Sequence, residues 1–350
     1  MAKQAPHSVP QIGIVGGGIR GSLFGAAVQQ HPKAELVALC DPAEKVQDQL
    51  ASTLGIPTYA SAEKMLADHP ELTAAVIATP DFAHLCPALA CLERGLDLLI
   101  EKPLATTSEE GWAIERAARQ SGASVVVGFE NRWNPQFAEV RKRIATGDYG
   151  RVINQVVNLN DTIFVPTSML SWGGQSSPAW FLMPHSLDLA IWLSGAVPID
   201  VFARGRRGSL SARGVDTWDA ITASFRMSDD SLLVLNSQWV LPESSPSVFD
   251  FRYEINTSTT SFHLDISNSG VTQYGPKKTH RLQLGVTEHR GQLRGFPIDM
   301  MADFIASLNG ADVDLPGVDQ GCLVTDAISA VHASLNANEV RPISCSTSAT

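Results

Sequence analysis

A doubly wound parallel α/β sheet over residues 1–129, followed by an α+β part with a large, mostly antiparallel open sheet over 130–350, is the fold class this sequence predicts. Three observations carry it. Near-continuous apolar runs at 11–15, 35–40, Ala74–Ala78, Leu96–Ile100 and Ser124–Gly128 alternate with helical stretches, the texture of strands buried on both faces. Phe82, Leu85, Leu89 and Leu92, spaced three, four and three apart, make one apolar stripe on a helix between the third and fourth strands. Beyond residue 150 the runs become alternating or β-rich (Val152–Val157, Ala220–Phe225, Ser231–Leu235, Phe251–Ile255) with turn residues between them. Two helices, Ile298–Leu308 and Gly317–Asn336, close the chain, and the small polar residues Ser344–Thr350 are expected to fray.

The first strand runs directly into Gly16-Gly17-Gly18-Ile19-Arg20-Gly21, a G-x-G-x-x-G turn opening a helix. In that pattern Gly16 permits a tight turn, Gly18 lets backbone N–H groups approach a pyrophosphate, and Gly21 lets the helix pack on the strand. Alone the motif is weak, because many glycine-rich turns are only turns. The second strand ends on Asp41, 20 residues beyond Gly21, where a carboxylate can accept from ribose hydroxyls and repel a 2′-phosphate. Together these define a Rossmann domain that takes NAD in preference to NADP, with Ile19 and Arg20 in the phosphate turn. Asp41 with Pro42 also suits a plain helix start, and Arg20 is a cation able to tolerate a phosphate.

The chain has 350 residues, is 44% hydrophobic and carries a net charge of −10, so a sizeable core is available. No basic cluster is denser than Arg141-Lys142-Arg143 or Arg204-Gly205-Arg206-Arg207, which argues against nucleic acid as a partner. The opening Met1–Pro6 has no apolar leader core and no run reaches the ~18 residues of a membrane span, so a cytoplasmic protein is expected. Five cysteines (Cys40, Cys86, Cys91, Cys322, Cys345) are odd in number, and no Cys/His set has metal-ligand spacing; reduced thiols and no metal are expected.

Glu101-Lys102-Pro103-Leu104-Ala105 directly follows the fourth strand. With the glycine turn, Ala78-Thr79-Pro80, Val127-Gly128-Phe129 with Arg132, and His185-x-x-Asp188, the chain resembles the glucose-fructose oxidoreductase and inositol dehydrogenase (Gfo/Idh/MocA) family over nearly its whole length. The resemblance implies NAD(P)-dependent oxidation or reduction at a secondary hydroxyl of a sugar, cyclitol or related glycoside, with the substrate held between the two domains over the nicotinamide. It also implies a homodimer or homotetramer formed through the outer face of the C-terminal sheet.

Hydride transfer from a carbinol carbon needs a base for the hydroxyl proton and a cation near the developing oxyanion. Lys102, after a strand end and stiffened by Pro103, fits the cation, and Glu101 positions its loop or pairs with it. His185 fits the base. Pro184 and the apolar residues after it place the ring near a positive helix end, which favours neutral imidazole. Asp188, one turn on, can orient the ring or reach a substrate hydroxyl. Arg132, Trp133, Trp172 and the Gly/Ser-rich stretch containing Gln175 are placed on the substrate side, with core packing the alternative for the tryptophans. Thr79, Pro80, His84, Glu101 and Lys102 border the cofactor, and capping the local helix is the alternative for His84.

One departure stands out. Relatives of the inositol dehydrogenase type usually carry Asp four residues before the His; here it is Phe181, with Met183 where a small residue is common. The loss makes the pocket more apolar and should lower the imidazole pKa. It leaves three readings: His185 works with Lys102 alone, a carboxylate such as Glu130 substitutes, or the chemistry has moved to a redox-cycling lyase, epimerase or glycosidase that retains its NAD. A non-catalytic NAD-binding regulator is the remaining alternative, against which the presence of both Lys102 and His185 counts.

Overall fold

The computed structural model describes residues 9–268, 270–276, 279–282 and 284–343; Cys345 and the 344–350 tail lie outside them. The chain folds into two compact units. One comprises Met1–Glu130 with Val286–Cys322, the other Asn131–Gly285 with Leu323–Thr350. Residues 286–322 thus pack with the first unit, whereas sequence texture groups them with the rest of 130–350.

The first unit alternates strand and helix: β1 (Gln11–Val15), α1 (Ile19–Gln30), β2 (Glu35–Cys40), α2 (Glu44–Leu54), β3 (Thr58–Tyr59), α3 (Ala62–Asp68), β4 (Ala74–Ile77), α4 (Leu85–Glu93), β5 (Asp97–Glu101), α5 (Ser108–Ser121) and β6 (Val125–Gly128). The strands form one six-stranded sheet in the order β3-β2-β1-β4-β5-β6, parallel throughout. That order reverses between β1 and β4, creating the crevice at the strand C-termini where such sheets hold ligands. Ile12, Ile14, Val76, Ile77, Leu98, Leu99 and Ile100 are fully buried, as strands covered on both faces require.

The expected stripe on α4 is rotated. Phe82 lies in a single turn before the helix and is 36% exposed, while Ala88, Cys91 and Leu92 face the core. The sheet edge at β6 is covered: Val126 bridges Gly317 and the Val127 N–H donates to Pro316 O at 2.8 Å, which removes an open edge.

The second unit holds α6 (Pro135–Ala145), β7 (Val152–Thr162), α7 (Pro178–Phe181), α8 (Met183–Ser194), β8 (Pro198–Arg206), β9 (Ala220–Met227), β10 (Leu232–Leu241), β11 (Phe249–Thr257) and β12 (Ser261–Asp265). Two small hairpins follow, β13 (Thr272–Tyr274) with β14 (Thr279–Arg281), and β15 (Thr287–His289) with β16 (Gln292–Arg294), the latter in the first unit. The chain ends through α9 (Phe296–Leu308), α10 (Val318–Ala337) and β17 (Arg341–Pro342). The large sheet runs β12-β11-β7-β10-β9-β8-β17 and is antiparallel except where β7 and β10 run together.

Helices α6, α7 and α8 lie against one face of this sheet. Phe137 of α6 packs on Phe251 and Tyr253, with ring centroids 5.6 and 5.4 Å apart. Beneath α8 the buried Gln155 donates to Ala190 O at 3.2 Å and accepts from Tyr253 Oη at 2.8 Å, so this polar cluster in the core is bonded. The other face is open. It presents Thr222, Asn236 and Asn158 as a hydrogen-bonded row, beside the paired Val234 and Val156 and the exposed Leu232.

Candidate active site

The glycine turn leaves β1 with Gly16 at φ 95°, a conformation that glycine alone adopts without strain. A Cβ on Gly21 would stand 1.7 Å from Gly16 O, so no side chain fits between helix and turn. Around Gly18, by contrast, a Cβ would meet nothing within 4 Å, and Gly18 caps α1 without a side-chain acceptor. The first turn of α1 carries no acidic residue, and Ile19 is 70% exposed. Open space at an uncapped helix N-terminus fits a pyrophosphate, whose charge the N–H groups and helix dipole would hold.

Asp41 closes the other side of this crevice. Its Oδ2 accepts from the Gly17 N–H at 2.8 Å and its Oδ1 from the Ala43 N–H at 2.9 Å. Each carboxylate oxygen keeps acceptor capacity for a ribose hydroxyl while the residue shapes the turn. The N-cap of α2 is Ala43, which has no side-chain cap bond, so Asp41 shapes the turn before the helix rather than capping it.

Arg20 turns the opposite way. Its Nε donates to Glu101 Oε1 at 2.8 Å, its Nη2 bonds Glu130, and its guanidinium lies 4.6 Å from the centroid of Phe24. Glu101 ends β5 and Glu130 follows β6, whereas Asp41 follows β2 on the far side of β1. The guanidinium is thus committed to two carboxylates away from the ribose side, which corrects its reading as a 2′-phosphate acceptor. Burial raises the Glu130 carboxyl above the ordinary range, opposed chiefly by Arg20. Glu130, named above as a possible substitute carboxylate, is ion-paired with Arg20.

Lys102 is 8% exposed, and its backbone N–H donates to Glu101 Oε2 at 3.2 Å across a loop in which the Lys102–Pro103 peptide is cis. His84 supports that loop from below. It is 1% exposed, with Nδ1 2.7 Å from Pro103 O and Nε2 3.1 Å from Thr79 O. Its side chain makes no cap bond to α4; it joins the loop after β4 to the loop after β5. Thr79 and Pro80 are half-buried at the end of β4, with Thr79 Oγ1 donating to Ala83 O.

In the second unit, Ser177 caps α7 by accepting from the Trp180 N–H, and Pro178 takes the first helical position. Leu182, in right-handed helical conformation, joins α7 to α8, and the His185 N–H bonds Leu182 O at 3.2 Å. His185 is therefore in the first turn of α8 but not at an open helix end; that end lies at Ser177. Phe181 and His185, four apart, are half-buried while their neighbours Leu182, Met183 and Pro184 are buried, so both face outward on one side.

Phe181 stands edge-on to Trp172 (6.0 Å) and to Trp239 (5.6 Å), whose indole N–H donates to Asp161. A carboxylate at position 181 would be held among indole rings, which accounts physically for the aromatic residue there. Asp188 does not orient His185. It accepts from Arg132 Nε at 2.9 Å and Nη2 at 2.5 Å, with side-chain exposures of 3% and 9%. Burial raises its carboxyl and Arg132 opposes that. His185 Nδ1 lies 3.1 Å from Asn131 Nδ2, a contact that nothing in the local sequence spacing signals. Trp133 and Trp172 are half-buried and Gln175 is exposed. Among the described residues no group of three or more His, Cys, Asp or Glu is placed to hold a metal ion, and no helix is long and apolar enough to cross a membrane.

A switch-point crevice with an uncapped glycine turn, an acidic clasp at β2 and a buried Lys at the end of β5 is the layout of a dinucleotide-binding fold. Residues 11–129 match the oxidoreductase family with the NAD-binding Rossmann fold, and residues 137–263 match the GFO/IDH/MocA C-terminal domain. The chain belongs to this family.

It is 29% identical over 179 residues to scyllo-inositol 2-dehydrogenase (NAD(+)) of Bacillus subtilis, covering 51% of this chain and 52% of that protein. It is 30% identical over 198 residues to levoglucosan dehydrogenase of Pseudarthrobacter phenanthrenivorans, covering 53% and 51%. The matched stretch thus spans about half the length of these curated relatives. Among solved structures, GenD2 from gentamicin A biosynthesis in complex with NAD superposes with a TM-score of 0.83 at 18% identity, covering 98% of this chain and 99% of that one. The WlbA dehydrogenase of Bordetella pertussis, in complex with NADH and UDP-GlcNAcA, gives 0.81 at 21% identity, covering 96% and 99%. At these identities the likeness is one of fold.

Proposed function

We propose that the protein is an NAD-linked dehydrogenase acting on a secondary hydroxyl carbon of a sugar, a cyclitol or a related glycoside. The observation that carries the reading is Lys102, buried at the carboxyl end of β5 and fixed there by Glu101 and His84. Bound NAD would supply the hydride acceptor. The Gly17–Gly21 turn would hold its phosphates and Asp41 its adenosine ribose. By the family resemblance, Lys102 would supply a positive charge for the substrate oxygen and His185 would take the hydroxyl proton. Arg132 and Asp188, bonded to each other, hold the wall on which His185 stands, and Trp133, Trp172 and Phe181 give that wall an apolar surface for a ring to lie on.

The test is to incubate the protein with NAD and a panel of inositols, sugars and glycosides and to follow reduced nicotinamide by absorbance. Turnover of at least one member is expected, and Lys102→Met should lower kcat by roughly 10²-fold or more while NAD still binds. Tight NAD binding with no turnover of any member would sink the reading.

Phe181 supports a second reading, in which the cofactor is retained and cycled during an elimination or epimerisation. Product formed without net reduced cofactor, with solvent deuterium incorporated, would favour it. We further propose that the protein works in the cytoplasm, consistent with its free thiols Cys40, Cys86 and Cys91. Its proposed assembly is a homodimer or homotetramer through the open face of the seven-stranded sheet.

A further inference from the structure

Arg20, in the first turn of α1, holds two carboxylates at once. Its Nε donates to Glu101 Oε1 at 2.8 Å and its Nη2 bonds Glu130. The two acidic side chains are 8% and 15% exposed, one at the end of β5 and the other just past β6. Glu101 also accepts from the Lys102 N–H, and Gly128 leaves it room, since a Cβ there would stand 3.3 Å from Glu101 Oε2. All of these residues belong to the first unit.

We infer that Glu130 sets which oxidation state of the dinucleotide the protein prefers, its ionised form matching the cationic ring of oxidised NAD and its protonated form the uncharged ring of reduced NAD. The inference rests on the NAD-linked half of the reading above and on no particular substrate.

A sheet in the order β3-β2-β1-β4-β5-β6 has two mononucleotide halves, one over β1–β3 and one over β4–β6. With the adenosine ribose assigned to Asp41 after β2, the nicotinamide half belongs to β4–β6, the side on which Glu101 and Glu130 stand. Arg20 and Lys102 bring positive charge there, and Glu101 and Glu130 bring negative charge. With Glu130 ionised the group is neutral. With Glu130 protonated it is cationic, which opposes a second cation in the crevice and is indifferent to an uncharged ring.

Burial raises the Glu130 carboxyl, Arg20 opposes that rise, Glu101 adds to it and Lys102 lowers it, so Glu130 responds to a charge that arrives beside it. The surrounding elements carry other ionisable groups. Arg20 is the single one on α1, and α9, packed on α1, carries Asp299 and Asp303 with the charge of Arg294 beside them. After β4, Asp81 is buried and His84 contacts the carbonyls of Thr79 and Pro103. Helix α5 carries Glu109, Glu110 and Arg116, and its Glu115 bonds Arg119, which also reaches Asp319 at the start of α10. Two residues on from Glu130 in the chain, Arg132 bonds Asp188.

Calorimetric titration of the full chain with each form of NAD tests the inference without a substrate. From about pH 5 to about pH 8, Kd for oxidised NAD divided by Kd for reduced NAD should fall by roughly tenfold in the parent and stay within about twofold in Glu130→Gln. The sign follows from linkage: a bound cation lowers the carboxyl pKa, binding releases a proton, and affinity for the oxidised form rises with pH. Repeating the titration in two buffers of different ionisation heat counts that proton, which is expected with oxidised NAD and absent with reduced NAD. At about pH 8, Glu130→Gln should bind oxidised NAD about tenfold more weakly and reduced NAD within about twofold of the parent, whereas Glu130→Asp keeps the charge and should stay within about threefold for both.

A ratio that ignores pH in the parent, or a proton release that persists in Glu130→Gln, would overturn the inference. So would an equal loss of affinity for the two forms in that variant, which would leave Glu130 a purely structural partner of Arg20. If Glu130→Gln does not fold, the proton count on the parent carries the test, and equal counts for the two forms decide against it. A protein that separates the two forms yet turns over no polyol counts against the dehydrogenase reading alone.

Discussion

Arg132 and Asp188 meet through two parallel N–H···O bonds with almost no solvent on either side chain. Such a pair contributes little relative to an apolar pair of equal size, yet removing one partner strands a buried charge. Asp188→Ala should therefore destabilise the protein by about 3–5 kcal/mol in urea unfolding. A loss below about 1 kcal/mol would mean that Arg132 finds water when unpaired. A second residue-scale effect is a pH response at α10. His332 on α10 stacks on Trp180 at 5.3 Å, with Nε2 3.1 Å from Ser177 Oγ, and burial, helped by the charge of Arg207, pushes its pKa down to about 4. The unfolded chain protonates this ring near pH 6.5 and the folded chain only near 4, so the unfolded state binds more protons in that window and stability falls as pH drops through it. His332→Phe keeps a ring against Trp180 and removes the titration. Its stability should fall less between pH 7 and pH 4 than that of the parent, by on the order of 2 kcal/mol in denaturant titrations. Equal losses would refute this account. Neither pairing was legible in the sequence: Arg132 and Asp188 are 56 positions apart and Ser177 and His332 155 apart, and local periodicity carries no information about such partners.

At the scale of elements, the five core strands of the first sheet were legible to within a residue because each is a short apolar run bounded by turn residues. Strand β7 runs five residues past the expected Val157, through Asn158–Thr162, because its polar residues are paired in the sheet interior and break the apolar pattern without breaking the ladder. The seven-stranded sheet also contains β8, which opens on Pro198 and ends in Arg204-Gly205-Arg206, a composition that reads as loop. The stripe on α4 failed because the turn at Asp81–Ala83 resets the helical phase before Leu85. Cofactor choice belongs at this scale too, since Asp41 and Arg20 stand at opposite ends of the crevice. Asp41→Ala should relax the preference for NAD over NADP by roughly tenfold, read as the ratio of the two kcat/KM values. Arg20→Met should leave that ratio within about twofold. A collapse of the ratio in Arg20→Met alone would return the 2′-phosphate role to the arginine.

Over the whole molecule, the two-part α/β and α+β plan followed from texture, and the family from a few short motifs in the right order. The return of residues 286–322 to the first unit had no signal, because an amphipathic helix such as α9 does not state which core it covers. The proposed self-association has its own test. Val156 and Val234 are paired at the centre of the open face, next to the hydrogen-bonded Thr222–Asn236–Asn158 row. Val234→Arg should reduce the mass in light scattering toward the 37.5 kDa of one chain, and an unchanged oligomer would place the contact elsewhere. The clasp at Asp41 bears on any attempt to change the proposed coenzyme preference. Because the same two oxygens that would greet the ribose also brace the backbone at Gly17 and Ala43, a swap aimed at coenzyme taste loosens the loop it acts through. A successful redesign would have to supply a new brace along with the new selectivity.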